Sequence, residues 1–464
     1  MKYLFIALLF LSNLVCVEAS EHKNLMSQLV EHYNASEYQN IFALYNDKMK
    51  AALPLTKSTA FFTGLKNEDG EIKSVEFFES LGKATSIFKT QFSNSVLSIQ
   101  LTSDKDENIS GLYVFPFTEK VKLATNKISA SETSLSEKQL DIIIEHSQLF
   151  PNNTQVSIAL IEAGKVNYFG ILRKNDELIE VDNYNKAFEI GSITKVFTST
   201  ILANLVNAGK IDLDDTIDNF LDIKFKGNAQ ISFIELASHH SGLPRMPSNF
   251  DDKFIDQKNP FKNYGVERLT EYLEKELSLN EKSFVYSNVG VGLLGYTLSK
   301  ISNKSYQQLL DEIIFKPFKM VNSTTNKKTV ETILIKGLDQ NGEVTPNWDL
   351  NVLSGAGSIL STVEDLVKFA LAQFNQSNKD LALTRKKTNS AGRSKEVGLG
   401  WLIIEKLSGN DIYEHNGGTG GYRSSMVIIP KTQEGIIVLS NVSAFNRNSR
   451  NIGELAYDLM KTLK

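Results

Sequence analysis

A serine hydroxyl is a weak nucleophile until a base stands beside it. In Gly191-Ser192-Ile193-Thr194-Lys195 a possible base lies three residues beyond the serine. The segment opens an apolar run (Ile193, Val196, Phe197, Ile201, Leu202, Leu205, Val206) that ends at Gly209. Residues i and i+3 are neighbours on a helix, so Ser192 and Lys195 share a face. At the helix start Ser192 also has backbone N–H groups and the positive dipole end beside it. The run is apolar over most of its circumference, which predicts a buried helix. Burial lowers a lysine's pKa, and a neutral amine can take the serine's proton. Alone, Ser-x-x-Lys is better explained by an N-cap serine followed by a surface lysine. Two further segments bear on the choice. Tyr286-Ser287-Asn288 precedes an apolar stretch over 291–298. A phenol held partly deprotonated by a lysine can relay the serine's proton, and the Asn288 side chain offers both a donor and an acceptor to a substrate amide. The third segment, Glu414-His415-Asn416-Gly417-Gly418-Thr419-Gly420-Gly421-Tyr422, reads as a strand edge with little side chain, which a substrate backbone can approach closely. A core tyrosine and a plain glycine-rich turn would account for these two segments singly.

Positioning three distant segments requires a framework. Residues 140–150 read as a helix, and 156–162 with 166–173 as a hairpin turning at Ala163-Gly164. Near the other end, 400–407, 424–429 and 435–440 are strand-like, and Ile452, Leu455, Ala456, Leu459 and Leu463 mark a final amphipathic helix. Between them runs a mainly helical insertion, about 190–380. Strands from both ends of one domain are expected in one antiparallel sheet flanked by helices, with the site between the sheet and the helical lobe. Residues 20–121 read as a separate small α+β domain, with helices over 22–32 and 38–53, the second stopped by Pro54. Strands over 84–92, 96–102 and 109–117 follow, and the helix-then-meander order resembles the NTF2-like class. The polar, Ser/Thr-rich stretch 122–138 reads as a linker, leaving 139–464 as the domain that carries the three segments.

Composition narrows the function. The chain has 464 residues, with 50 Lys+Arg against 54 Asp+Glu and a net charge of −4, which weighs against a nucleic-acid or anionic-membrane binder. Its one cysteine, Cys16, excludes a disulfide scaffold and cysteine-ligated metal sites. None of the six histidines forms HExxH, and no metal or cofactor is expected. Met1-Lys2, the apolar run to Val17, and Val17-Glu18-Ala19 read as a secretory signal over 1–19, cleaved after Ala19. That predicts an exported, periplasmic or extracellular protein. A lipid anchor on Cys16 is the lesser alternative, and no other segment is apolar enough to span a bilayer. Gly290-Val291-Gly292-Leu293-Leu294-Gly295 is formally G-x-G-x-x-G but lacks a βαβ setting, and no G-x-S-x-G elbow occurs.

The three segments in this order, SITK, YSN and HNG, resemble the serine β-lactamase and penicillin-binding-protein family in its class C type. Companion segments match as well: SHHSGLPR (238–245), FKPFKM (315–320), SGAGSILSTVEDL (354–366) and GGTGGYRSSMVIIP (417–430). The similarity runs from about residue 140 to 464. The resemblance implies a β-lactamase/transpeptidase-like fold and a serine hydrolase working through an acyl-enzyme. By it Ser192 is the acylated nucleophile, Lys195 and Tyr286 transfer protons, and Asn288 holds a substrate amide. His415 and Gly417 lie on the strand lining the site, and the N–H groups of Ser192 and Gly418 form the oxyanion hole. Substrates of this kind are D-amino-acid peptides of cell-wall type, β-lactams and small esters. The alternative is a penicillin-binding sensor or scaffold that does not turn over, and a third reading is an interaction protein acting through 20–121. His415 stands where relatives often have lysine, as in family members that act as esterases or aminopeptidases. With the usual imidazole pKa of about 6.5 it would be mostly neutral at pH 7 and gain its proton toward pH 6. Arg423 is the one nearby cation expected to compensate.

Overall fold

In the computed structural model, residues 22–117, 122–129, 131, 133–250, 256–392, 395–405 and 409–463 are described. The leader read over 1–19 and Cys16 lie outside them. The chain divides into two compact units, Met1–Glu119 and Lys120–Lys464.

The first unit is a helical layer on a four-stranded antiparallel meander, β1 (Ile72–Ser80), β2 (Thr85–Phe92), β3 (Val96–Ser103) and β4 (Ile109–Pro116), paired in that order. A helix over 22–34 contributes Leu25, Met26, Leu29 and Tyr33 to a core shared with Phe88, Phe92, Ile99 and Leu101. The helix expected over 38–53 is two, Tyr38–Ala43 and Asp47–Ala52, because the Asn46 side chain accepts the Met49 N–H at 2.9 Å and starts the second. Two elements were not legible in the sequence. Leu55–Asp69 is helical but buries only Ser58 and Phe62, and β1 carries two register shifts and is mostly exposed, so neither shows a clean apolar period.

The second unit is built on a ten-stranded sheet. Its strands are β5 (Thr125–Asn126), β6 (Gln155–Glu162), β7 (Lys165–Lys174), β8 (Glu177–Glu180), β11 (Asn389–Ser390), β12 (Lys395–Val397), β13 (Leu402–Ile404), β14 (Ile412–Gly418), β15 (Arg423–Ile429) and β16 (Glu434–Ser440). Their order is β11-β12-β13-β14-β15-β16-β6-β7-β8-β5. Antiparallel pairing of β16 with β6 joins the two ends of the domain, and only the β5–β8 edge is parallel. Alternate residues serve two cores. Ala159, Ile161, Ile437 and Leu439 face the helical lobe; Ile158, Leu160, Ile436 and Val438 join the core shared with helices Glu137–Ser147 and Asn451–Met460. With both faces buried, these strands read as unbroken apolar runs. The β6–β7 turn places Ala163 and Gly164 at φ 49° and 76°, the positive pair a tight hairpin needs.

The stretch 122–138 is not a free linker. Thr125–Asn126 pairs with β8, Ala124, Ile128 and Leu135 are buried in the second core, and Arg173 donates to the Lys122 carbonyl at 2.6 Å. Ser136 caps the next helix through a reciprocal bond pair with Gln139. Short side chains and turns hide this packing, because only every third or fourth residue is apolar. A two-stranded ribbon, β9 (Ala187–Glu189) with β10 (Leu360–Thr362), leads into the serine segment. Among the described residues no helix is long and apolar enough to cross a membrane.

Candidate active site

Ser192 lies in a 3₁₀ turn, Gly191–Ile193, that runs into the helix Thr194–Asn207. Nearly all of that helix is buried, Lys195 included. Gly191 has φ +50°, and a Cβ there would stand 2.6 Å from the Gly418 nitrogen. Glycine is therefore required on both counts, and the Gly418 N–H comes beside the serine turn. Gly417 packs tighter still: a Cβ would meet the Ile190 carbonyl at 1.9 Å. Gly417 faces the nucleophile segment, and Gly418 lines the cleft together with Gly191, Ser192, Asn288, Phe261, Trp348, Leu350 and Thr419.

Lys195 Nζ is 3.1 Å from Ser192 Oγ, 3.0 Å from Asn288 Oδ1 and 2.7 Å from the Ala356 carbonyl. Burial, with Arg245 nearby, holds its pKa well below the usual lysine range. A neutral amine has two N–H groups and one lone pair. The Asn288 and Ala356 oxygens can only accept, so they take the two N–H groups, and the lone pair is left for the Ser192 hydroxyl. Asn288 starts the helix Asn288–Ser302, capped by Ser287, whose Oγ accepts the Gly290 N–H at 2.9 Å. Its Oδ1 is committed to Lys195, while its Nδ2 has only a weak contact with Met246 Sδ at 3.6 Å. In this helix Gly292 and Gly295 serve packing. A Cβ would meet Leu353 at 2.6 Å and the Gly355 Cα at 2.9 Å, which accounts for the formal G-x-G-x-x-G.

Tyr286 lies over Lys195, with Nζ 4.9 Å from the ring centre. Burial pushes its phenol up to about 12, and a hydrogen bond with Ser192, Arg245 and Arg423 pull the other way. The partly deprotonated phenol expected from the sequence is thus not what this packing favours. Tyr286 is a neutral O–H group and a proton donor. His415 differs from expectation more sharply. It is 3% exposed, and burial together with Lys195 lowers its pKa to about 3. Its Nδ1 is 2.9 Å from the Asn416 carbonyl, which can only accept, so the proton sits on Nδ1 and Nε2 keeps its lone pair. His415 therefore does not gain a proton near pH 6.

Two neighbours, His239 and Arg245, were not singled out as site residues, and Arg423 entered only as a compensating cation. His239 stacks on Tyr286 at 4.5 Å, accepts the Ser287 N–H on Nδ1 at 3.2 Å, and is held neutral by burial and Lys195. Arg245 places its guanidinium 5.2 Å from the Tyr286 ring centre. Arg423 lies over the strand end, with Nη1 3.0 Å from where a Gly418 Cβ would stand; its Nε is buried without a hydrogen-bond partner. His239 and Arg245 lie in SHHSGLPR, a segment read only as a companion match. Spacing in the chain gives no sign that it folds back onto Tyr286. Among the described residues no group of three His, Cys, Asp or Glu could hold a metal ion.

A deep sheet against a helical lobe, with Ser, Lys, Tyr and Asn converging between them, is the layout of serine hydrolases with the β-lactamase fold. Residues 152–458 match the Beta-lactamase family, and the chain belongs to it. Residues 27–112 match a second family, described as a protein of unknown function (DUF3887). Beta-lactamase-like protein 2 of Dictyostelium discoideum is 33% identical over 217 residues, 44% of this chain and 38% of that one. Protein flp of Staphylococcus aureus is 26% identical over 337 residues, 67% of this chain and 64% of that one. The chain thus spans less than two thirds of the length of either relative. Among solved structures, a class C beta lactamase from Rhodobacter sphaeroides superposes with a TM-score of 0.59 at 18% identity, covering 70% of this chain and 99% of that one. The octameric penicillin-binding protein homologue of Pyrococcus abyssi gives 0.57 at 24%, covering 70% and 76%. These likenesses concern the fold.

Proposed function

We propose that the chain is a serine hydrolase that cleaves amide, ester or β-lactam bonds through an acyl-enzyme on Ser192. The observation that carries this reading is the buried Lys195 Nζ, 3.1 Å from Ser192 Oγ, with a pKa that burial holds well below the usual lysine range and so toward the neutral amine. In acylation the Ser192 proton passes to Lys195 as Oγ bonds to the substrate carbonyl carbon. The carbonyl oxygen takes up negative charge against the N–H groups of Ser192 and Gly418. Tyr286 gives its proton to the leaving group and regains one from Lys195 through the serine side of the site. Water then enters the acyl-enzyme by the reverse proton path. Asn288 Nδ2 is oriented to donate to a substrate carbonyl.

The substrate class follows from charge. With His415 neutral, Arg423 and Arg245 are the cations that face Tyr286, and Arg423 lies against the cleft-lining Gly418. A substrate carboxylate would be held by Arg423, through a charge-assisted bond roughly twice as strong as a neutral one. D-amino-acid peptides of cell-wall type and β-lactams carry such a group; small esters need not. Export through residues 1–19 would bring the enzyme to cell-wall peptides, and amino-terminal sequencing of the mature protein tests cleavage after Ala19. The rival, a penicillin-binding sensor, shares every step up to the acyl-enzyme. Stopped-flow hydrolysis of a chromogenic ester and a chromogenic β-lactam separates the two. A burst followed by steady turnover supports the hydrolase; a burst of one equivalent and nothing further supports the sensor. Arg423→Ala should weaken the β-lactam and spare the ester, whereas the same selective loss in His415→Ala would return the role to the histidine.

A further inference from the structure

Glu189 lies three residues before Ser192, at the end of β9, and the chemistry above makes no use of it. It is 4% exposed. One carboxyl oxygen, Oε1, accepts the Trp348 N–H at 2.8 Å. The other, Oε2, has no hydrogen-bond partner, and neither does the hydroxyl of Thr419, which is 1% exposed. Thr419 and the Asn347 side chain nevertheless stand close enough to favour the charged carboxylate. Trp348 and Thr419 both line the cleft beside Ser192 and Gly418. The Trp348 ring packs on Phe261 at 5.2 Å and lies over Gly420, where a Cβ would be 2.6 Å from Nε1. One buried carboxyl thus ties the serine strand to the 345–350 segment and stands beside the end of β14, three walls of the cleft.

We propose that Glu189 is a positioning residue whose carboxyl gains and loses a proton behind the cleft and so sets the placement of Trp348 and the direction of the Thr419 hydroxyl. As a neutral acid, Oε2–H donates to Thr419 Oγ1, and the Thr419 hydrogen points away from Glu189. On ionisation the proton leaves to solvent and Thr419 turns its O–H toward Oε2. The Trp348 N–H is held more firmly by the anion than by the acid.

The surroundings place this change near neutrality. Burial raises the Glu189 pKa to about 7 against the pull of Thr419, Asn347, the Trp348 N–H and Lys327. The Tyr422 phenol faces it, pushed far above its usual range by burial and by Glu189 itself, and stays neutral. Asp349, the carboxylate of the 345–350 segment, is turned to the Asn351 N–H at 3.1 Å. The strand partner on β10 is Leu360, which carries no charge.

The chain has two tryptophans, Trp348 and Trp401, so intrinsic fluorescence of the full-length protein reads this site without substrate. Between about pH 5.5 and 8.5 the emission should titrate with a midpoint near 7, a component lost in Trp348→Phe and in Glu189→Gln. Glutamine keeps the acceptor for the Trp348 N–H and has no proton to lose. Thr419→Val removes a donor to the anion and should raise the midpoint by about one pH unit. This arm decides the matter even if Glu189→Gln fails to fold. A flat emission in the wild-type protein, a titration that persists in Glu189→Gln or Trp348→Phe, or an unmoved midpoint in Thr419→Val overturns the proposal. Its consequence for turnover rests on the hydrolase reading: KM for an acyl substrate should carry the same midpoint while kcat does not. The fluorescence stands or falls independently of that reading.

Discussion

Around Lys195 the three neighbouring oxygens use both N–H groups and the lone pair of a neutral amine, and that count sets what single substitutions should do. Lys195→Ala and Tyr286→Phe should each slow acylation by roughly 10²–10⁴-fold on an amide. The double variant should lose far less than the product, because the two act on one proton path. A p-nitrophenyl ester, whose leaving group needs no proton, should feel Tyr286→Phe much less than the amide does. Rapid-quench rates on the two substrates check both statements; equal losses on amide and ester would argue against Tyr286 as the acid. The histidines give a second test. His415 is neutral in the folded protein down to about pH 3, whereas an unfolded imidazole protonates near 6.5. Its contribution to stability is therefore full above about pH 6.5 and is lost as pH falls toward 3. His239, also depressed, acts in the same direction. Denaturant melts should show His415→Gln flattening this acid slope, while the wild-type rate profile carries no inflection from His415 between pH 5.5 and 8.

Strands and helices hold the site by close backbone approach, and glycine is the means. Gly417→Ala would drive a methyl into the Ile190 carbonyl, 1.9 Å away, so β14 or the serine turn must shift. A loss of about 1–3 kcal/mol in a urea melt is expected, with acylation falling further than stability because the Gly418 N–H moves with the strand. Unchanged acylation in a folded Gly417→Ala protein would detach Gly418 from the oxyanion site. Strands β6, β7, β13, β15 and β16, the β6–β7 hairpin and the helix carrying Ser192 and Lys195 were legible in the sequence because burial leaves apolar runs; the short edge strands β5, β8, β11 and β12 were not, since two to four residues carry no pattern. The polar helix Leu55–Asp69, strand β1 and the packed stretch 122–138 were not, since few of their residues face a core. At the site, Ser192, Lys195, Tyr286 and Asn288 stood out through three motifs in the order of the family they resemble. His239, Arg245 and the neutrality of His415 depend on which segments fold over one another, and no local spacing encodes that.

At the scale of the whole chain, the boundary between units falls at Glu119–Lys120; Ala124, Ile128 and Leu135 belong to the second unit's core, and Thr125–Asn126 to its sheet edge. A fragment 120–464 should therefore fold cooperatively and keep the chemistry on small substrates. A fragment starting at 136 should melt several degrees lower, having lost the Lys122 carbonyl from Arg173 and the burial of Ala124, Ile128 and Leu135. Equal melting temperatures by circular dichroism would show that 122–135 adds nothing. The expectations that concern catalysis presuppose that Ser192 Oγ is the atom acylated. The most direct measurement is intact-mass and peptide-mass analysis of the full chain and its Ser192→Ala variant after exposure to a serine-directed phosphonate. The predicted result is one adduct per wild-type chain, on the peptide bearing Ser192, and none on the variant. An adduct forming on the variant at a comparable rate would contradict the assignment of the nucleophile and the mechanism built on it.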